Sequence, residues 1–383
     1  MSNLNQNLGR RGMREGSITH LGVRGLWMAR IQLGGRRRAF YAKTRAQAER
    51  KMQDAKRAYE RGIDVSGSGM TVDEFSATWL KNSQSMWQPA TLEHHAYLLR
   101  IHIIPAVGRR RLGKFAPAVV QRLYTDMLEA GHSPSLVRHA HRVLRSCLQR
   151  AVKLGYIERN PCDLVDLPKH QQKEKPRVSA DEVRRLLKSA REDRLDALFT
   201  LGLSTGCRIS ELLGLRWDRV DLDTNTIHIT DQLKKGPDGY YLGSLKTARS
   251  RRYIEIGPTT VAALKSHKAR MAEEQLRLGP AWANDLGLVF ISEFGTPLSR
   301  DNIRNRNWRS IVERSGIGKH LTLHNMRDIF ASLALGNGMN VVTVSAMLGH
   351  RDPSVTLQRY SYALPDSGRE VANIMDGVIA AAG

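Results

Sequence analysis

The residues best suited to chemistry lie in one stretch, 324–360, which reads HNMRDIFASLALGNGMNVVTVSAMLGHRDPSVTLQRY. The spacing predicts a helix over 324–337, with Leu323, Met326, Phe330 and Leu333 as its apolar stripe and His324 and Arg327 one turn apart on its flank. A Gly-containing turn and a short apolar helix follow, ending in Leu348-Gly349-His350. Asp352 and Pro353 then mark the cap and first position of a new helix that carries Tyr360. Guanidinium and imidazole groups can hold the anionic oxygens of a phosphodiester, and a tyrosine hydroxyl can act as the nucleophile. A lone His-x-x-Arg pair is usually a solvated surface feature, so the weight rests on the ordered set.

The rest of the chain supplies elements to position this set. Short strands are expected at 18–21, 26–33 and 37–42, with the Gly34-Gly35 pair as a hairpin signal. Thr44 then caps a helix over 45–61 that covers the sheet. Arg30, Arg36, Arg37 and Arg38 would give that sheet a basic surface able to lie in a DNA groove; a basic edge that only discourages strand pairing is the alternative. GIDVSGSGM, at 62–70, reads as a linker.

Residues 72–82, 90–104, 118–130 and 135–154 read as helices. On the last, Arg138, Arg142, Arg145, Gln149 and Lys153 project from one face, with Ala140, Val143, Leu144, Cys147 and Ala151 on the opposite one. No acidic residue interrupts this helix, and the cations are read as DNA-facing because their repulsion would otherwise be unrelieved, with a solvated basic face as the alternative. His94, His95, His102, His139 and His141 are read as polar groups near DNA. DLPKHQQKEKPRV forms a second linker, and Ser179-x-x-Glu182 opens a further helix as a capping box. Beyond it come a helix carrying Arg208 with Glu211 one turn on, and strands at 226–231, 240–245 and 252–256 in one antiparallel sheet, with Lys246 on a hairpin turn. Helices are expected over 259–277 and 299–315, with one more strand at 288–291.

The expected architecture is a multidomain α+β fold. It comprises a three-stranded sheet plus helix over 1–65, an all-α domain over 66–167, a linker over 168–178, and a mainly α domain with a small antiparallel sheet over 179–383.

Lys and Arg number 60 against 37 Asp and Glu among 383 residues, a net charge of +23 with a pI near 10.4, which points to a polyanionic partner. No apolar run is long enough for a membrane span and the N-terminus has no signal-peptide core, so the expectation is a soluble, cytoplasmic protein with no membrane partner. Cys147, Cys162 and Cys207 have no C-x-x-C pairing, which argues against a disulfide framework or a cysteine zinc site. The sequence also holds no Walker A pattern and no carboxylates spaced for two metals.

TGCRISELLGLRW around Arg208, SLKTARSRRYIEI around Lys246, HNMR, LGH and the run to Tyr360 together resemble the tyrosine recombinase family, specifically the phage and mobile-element integrases. The first 65 residues resemble the arm-binding domain of those integrases. Two positions depart from the pattern: Asp328 and Tyr362 stand where many members carry histidine. The resemblance implies that Tyr360 attacks phosphorus to form a 3′-phosphotyrosine, Arg208 and Arg327 clamp the non-bridging oxygens, and Lys246 protonates the leaving 5′-oxygen. It further implies that His324 assists proton transfer at the tyrosine and that His350 hydrogen-bonds the phosphate, with Glu211 orienting Arg208. No cofactor and no metal are implied, since the phosphotyrosine conserves the bond energy. The implied partners are duplex DNA at core and arm attachment sites and a homotetramer on that DNA, with room for an excisionase and a DNA-bending host factor. A chromosome-dimer resolvase of the Xer type, a type IB topoisomerase and an inactive DNA-binding regulator are the alternatives. Tyr360 and Tyr362 point about 200° apart on a helix, and the resemblance selects Tyr360, because LGH followed ten positions later by the Tyr of an Arg-Tyr pair matches integrase spacing.

Overall fold

A computed structural model of the chain describes residues 16–22, 25–33, 36–60, 69–169, 176–236, 238–245, 250–364 and 375. The turn at Gly34-Gly35, most of both linkers, Lys246 and the tail after 364, Met375 apart, lie outside the described residues. The chain is mixed α and β and divides into two compact units, Met1–Gln172 and Lys173–Gly383.

In the first unit, strands β1 (Ser17–Leu21), β2 (Leu26–Leu33) and β3 (Arg36–Ala42) form an antiparallel meander in which Ala29 pairs with both Ile18 and Phe40. Strand alternation sends Ala29 and Ile31 to one face, where they pack with Ala42 and with Ala48 and Met52 of helix α1 (Arg45–Glu60). Thr44 caps α1 by accepting from the Gln47 N–H at 3.2 Å.

Helices α2 (Val72–Ser83), α3 (Pro89–Leu98), α4 (Ile104–Val107), α5 (Pro117–Glu129) and α6 (Pro134–Lys153) build a separate core around Phe75, Trp79, Leu123, Leu144 and Leu148. The single helix expected over 90–104 is instead α3 and α4 joined by a π-helical segment, Leu99–Ile103. Pro105 has no N–H to give to the carbonyl four residues back and its ring crowds that carbonyl, so the helix widens there.

In the second unit, Ser179 and Glu182 make the reciprocal capping box that opens α7 (Ala180–Ala190). Helix α8 (Asp196–Thr205) ends at Gly206, in the left-handed region at φ 63°, and the chain turns directly into the short α9 (Ile209–Leu213). A Cβ at Gly206 would lie 2.5 Å from the Phe330 ring, so both conformation and packing require glycine.

The region expected as one three-stranded sheet forms two. Strand β5 (Thr226–Ile229) pairs with β4 (Val220–Asp221) and β8 (Arg252–Glu255), while β6 (Asp231–Gly236) and β7 (Gly239–Ser244) make a separate ribbon. The expected strand at 288–291 is not one. Leu288, Val289, Phe290 and Ile291 are fully buried, and only isolated bridges to Arg216 and Pro297 tie them into pairing, so the apolar run marks core and not sheet.

Helix α10 (Pro258–Leu278) and the run α11 (Arg300–Asn302) to α12 (Arg309–Arg314), again with a π segment between, pack on this core. Helices α13 (Asn325–Gly336), α14 (Val341–Leu348) and α15 (Pro353–Tyr360) close the unit. Ala331, Leu335, Val344, Leu348 and Tyr360 form a small core of their own. Among the described residues no helix is long and apolar enough to cross a membrane.

Candidate active site

Arg327 projects from the first turn of α13 and is 2% exposed. Its Nη1 donates to the Gly206 carbonyl at 2.9 Å and its Nη2 to the Leu348 carbonyl at 2.6 Å, so one guanidinium closes the ends of both α8 and α14. Carbonyls at helix C-termini carry partial negative charge and lack intrahelical partners, which suits them to a buried cation.

Arg208 sits at the N-cap of α9. Its backbone N–H and its Nη1 both donate to Glu211, at 3.0 and 2.6 Å, and its side chain remains 38% exposed. The Glu211 carboxylate is in turn held by Arg252 of β8, whose Nη2 donates to Oε2 at 2.9 Å. Arg252 also donates from Nε to the Met347 carbonyl at 2.6 Å, from Nη1 to the Ser250 carbonyl at 2.9 Å, and from Nη2 to Cys207 Sγ at 3.3 Å. Arg252 therefore ties β8 to α9 and α14. It did not stand out in the sequence among the arginines of SLKTARSRRYIEI, although strand alternation, which turns Arg252 and Ile254 inward, is the signal that would have separated it.

His350 follows Gly349, which caps α14 at φ 66°. Its Nδ1 lies 2.7 Å from Thr356 Oγ1. Burial, and then the cations Arg327, Arg208, Arg359 and Arg252, push its pKa down to about 4, so the ring is neutral at pH 7. Burial and the Arg208 cation likewise lower Arg327 to about 10, which leaves it charged. These four guanidinium groups converge on a site whose carboxylates, among the described residues, are Glu211 and Asp328. The surplus positive charge is what a phosphate would neutralise.

Tyr360 ends α15 with no exposed surface, and its hydroxyl donates to Asp328 Oδ1 at 2.7 Å. Burial and this bond to a carboxylate hold the phenol pKa well above its ordinary value. Arg359 reaches the same carboxylate at 3.9 Å, and its Nη2 lies 3.3 Å from His324 Nε2 at the exposed edge of the site. Tyr362 points elsewhere: it is 40% exposed, its hydroxyl is 2.9 Å from Ser332 Oγ, and the Arg177 guanidinium lies over its ring.

The fold thus gathers Arg208, Glu211, Arg327, His350 and Tyr360, places His324 beside them, and adds Arg252 and Asp328. Lys246 lies between β7 and β8, outside the described residues.

The basic residues of the first unit are distributed more selectively than their sequence clusters suggest. Arg30 and Arg37 are exposed on the sheet face away from α1, whereas Arg38 pairs in register with Ile31 on the packed side and is half-buried; the side chain of Arg36 is outside the description. On α6, Arg142 and Lys153 are exposed, and Arg138 donates to the Pro168 carbonyl at 3.3 Å. Arg145 forms an ion pair with Asp163 at 2.6 Å. Cation repulsion on α6 is therefore partly relieved from within the unit, by an acid that lies after the helix in sequence and that a helix projection does not show. His141 is buried against the Tyr124 hydroxyl at 3.0 Å, so it serves the core and not the surface. Trp79, Arg142, Arg145, Gln149, Arg150 and Lys153 are among the residues lining a basic hollow of about 380 Å³.

Residues 176–365 match the phage integrase family model, and residues 71–128 match the model of the phage integrase N-terminal SAM-like domain. An integrase of Streptomyces ambofaciens is 27% identical, the alignment covering 96% of this chain and 97% of the relative. A XerC-like tyrosine recombinase of Caldanaerobacter subterraneus is also 27% identical, over 86% of this chain and 88% of its own. Among solved structures, the Tn1549 transposon integrase in complex with a circular intermediate DNA superposes with a TM-score of 0.68 at 22% identity, covering 80% of this chain and 99% of that one. A lambda integrase tetramer bound to a Holliday junction gives 0.59 at 17% identity, over 91% and 96%.

Proposed function

This chain belongs to the phage integrase family of tyrosine recombinases, enzymes that perform site-specific recombination, and we propose from the geometry of its second unit that Tyr360 is the residue that breaks the DNA strand. The observation that carries this reading is the convergence of Tyr360, Arg327, Arg208 and a neutral His350 from four separated segments onto one cationic site. Arg208 and Arg327 hold the non-bridging oxygens of the scissile phosphate, and His350 adds a hydrogen bond to it. Tyr360 Oη bonds to phosphorus as the bond to the 5′-oxygen breaks, and Lys246 supplies the proton that this oxygen takes. The resulting 3′-phosphotyrosine keeps the energy of the phosphodiester, so a 5′-hydroxyl from the partner duplex reverses the step without ATP.

Duplex DNA is the substrate. The second unit cuts the core site, the α2–α6 bundle binds duplex through the exposed Arg142 and Lys153, and the small sheet binds distal arm sites through Arg30 and Arg37 on its exposed face. Recombination of two duplexes requires four such sites, met by a homotetramer like the lambda integrase assembly. The setting is the cytoplasm of a bacterial host, where the enzyme integrates a phage or mobile element and excises it. The small basic sheet favours this integrase reading over a chromosome-dimer resolvase.

The test uses a nicked duplex carrying the element's own junction sequence, which traps the covalent complex. Tyr360→Phe is expected to bind this DNA and form no adduct, and Tyr362→Phe to form adduct as the parent does. A phosphotyrosine mapped to residue 362 would overturn the assignment.

A further inference from the structure

We propose that Asp328 is the group that accepts the phenolic proton of Tyr360 during strand cleavage and returns it during rejoining. This rests on the reading of Tyr360 as the nucleophile. Asp328 lies one residue beyond Arg327 on α13, and its Oδ1 accepts the Tyr360 hydroxyl at 2.7 Å, within the range in which proton transfer needs no rearrangement. His324, the other candidate, has its Nε2 faced by Arg359 Nη2 at 3.3 Å.

A buried tyrosine hydroxyl is satisfied equally well by a carbonyl or a neutral amide. A carboxylate that is 6% exposed brings a desolvation cost of several kcal/mol that a purely structural partner would avoid. That charge is retained beside Arg359, at 3.9 Å, and beside an Asn325 side chain whose Nδ2 approaches Oδ2 at 3.5 Å. Both neighbours favour the charged form of the carboxylate and aim it, with one oxygen on the nucleophile.

The step balances as follows. Tyr360 Oη forms its bond to phosphorus while the bond to the 5′-oxygen breaks. The phenolic proton passes to Asp328 Oδ1, and the 5′-oxygen receives a separate proton from Lys246. As the bond to phosphorus forms, the phenolic oxygen becomes far more acidic than a free phenol, so a carboxylate is basic enough to take the proton late in the reaction. In rejoining, the protonated Asp328 gives the proton back to the departing tyrosine.

The experiment measures single-turnover adduct formation by the full chain on the nicked duplex, against pH. Asp328→Asn keeps the shape and removes the basicity. It is expected to bind DNA as the parent does and to form adduct on the order of 10²-fold more slowly, the lower end of what general-base catalysis contributes. Its rate should then climb with pH between about 6 and 9, where the parent is flat, because hydroxide must replace the carboxylate. The groups facing the pair are Arg327 on α13, Arg359 on α15 with His324 beside it, and His350 before α15, with Arg208 and Arg252 beyond them; burial and these cations keep His350 neutral across that range. Asp328→Glu keeps the carboxylate and should restore part of the rate and the flat profile, and it serves as the readout if the amide variant does not fold. Cleavage by Asp328→Asn as fast as the parent, or faster, would overturn the proposal; a faster variant would make the carboxylate a restraint on the nucleophile. Adduct from Tyr360→Phe would instead overturn the nucleophile assignment itself.

Discussion

Replacing Arg252 with Met tests whether the site is held by charge or by shape. The side chain has 7% of its surface exposed, spans β8, α9 and α14, and provides Glu211 with its second cation. Methionine fills much of the volume but leaves the Glu211 carboxylate, 2% exposed, with Arg208 as its cation, and frees the Met347 carbonyl. Removing one partner of a buried ion pair costs about 3–5 kcal/mol. Because Arg208 still donates to Glu211, the lower figure, about 3 kcal/mol, is the expectation, which corresponds to roughly 10²-fold in an opening equilibrium. Hydrogen exchange of the full chain in mild urea, read on peptides from α8 and α13, measures it within the second unit alone. The companion is Glu211→Gln, which removes the buried charge. Combined with Arg252→Met, it should recover part of the loss, giving a coupling of about 1–3 kcal/mol. The pH dependence carries a sign as well. Burial works to raise the Glu211 pKa, but Arg252 and Arg208 outweigh it and hold it below the ordinary carboxylate value. Its contribution to stability is therefore present above the unfolded pKa of about 4.3 and is lost as pH falls through the lower folded value. Arg252→Met should shrink that acid-sensitive contribution. A loss under about 1 kcal/mol, or strict additivity in the double variant, would refute the claim that this ion pair organises the site.

Two further outcomes are expected. Lys246→Ala should cut an ordinary phosphodiester severely more slowly but a 5′-bridging phosphorothiolate nearly normally, since sulfur leaves without a proton; equal defects on both would assign Lys246 to binding. In the DNA-free chain, the His350 ring resonances should not titrate between pH 5.5 and 8, since burial and the surrounding arginines keep the imidazole neutral down to about 4; a midpoint above 6 by NMR would contradict the cationic environment described.

The helices that carry His324, Arg327 and Tyr360 are legible in the sequence, because caps, prolines and apolar periodicity are local signals, whereas Arg208 joins that set only through the family resemblance. Ser179 with Glu182, Asp352 with Pro353, and the left-handed Gly349 each act within a few residues, so their consequences are legible in order along the chain. Which polar groups meet across long stretches of chain was settled by the tertiary fold. Asp328 and Tyr360 are 32 residues apart and Arg252 and Glu211 are 41 apart, and neither pairing has a periodicity to announce it. The same holds for Asp163, which answers Arg145 across 18 residues and relieves a helix face that looked uncompensated in isolation. The sheets show the limit from the other side. A β-branched run suffices to suggest a strand at 226–231, but the pairing that splits it between β5 and β6 depends on partners at 220–221 and 252–255. Hydrophobicity at 288–291 specified burial without specifying strand, because a fully buried segment satisfies the same pattern whether or not its backbone joins a ladder.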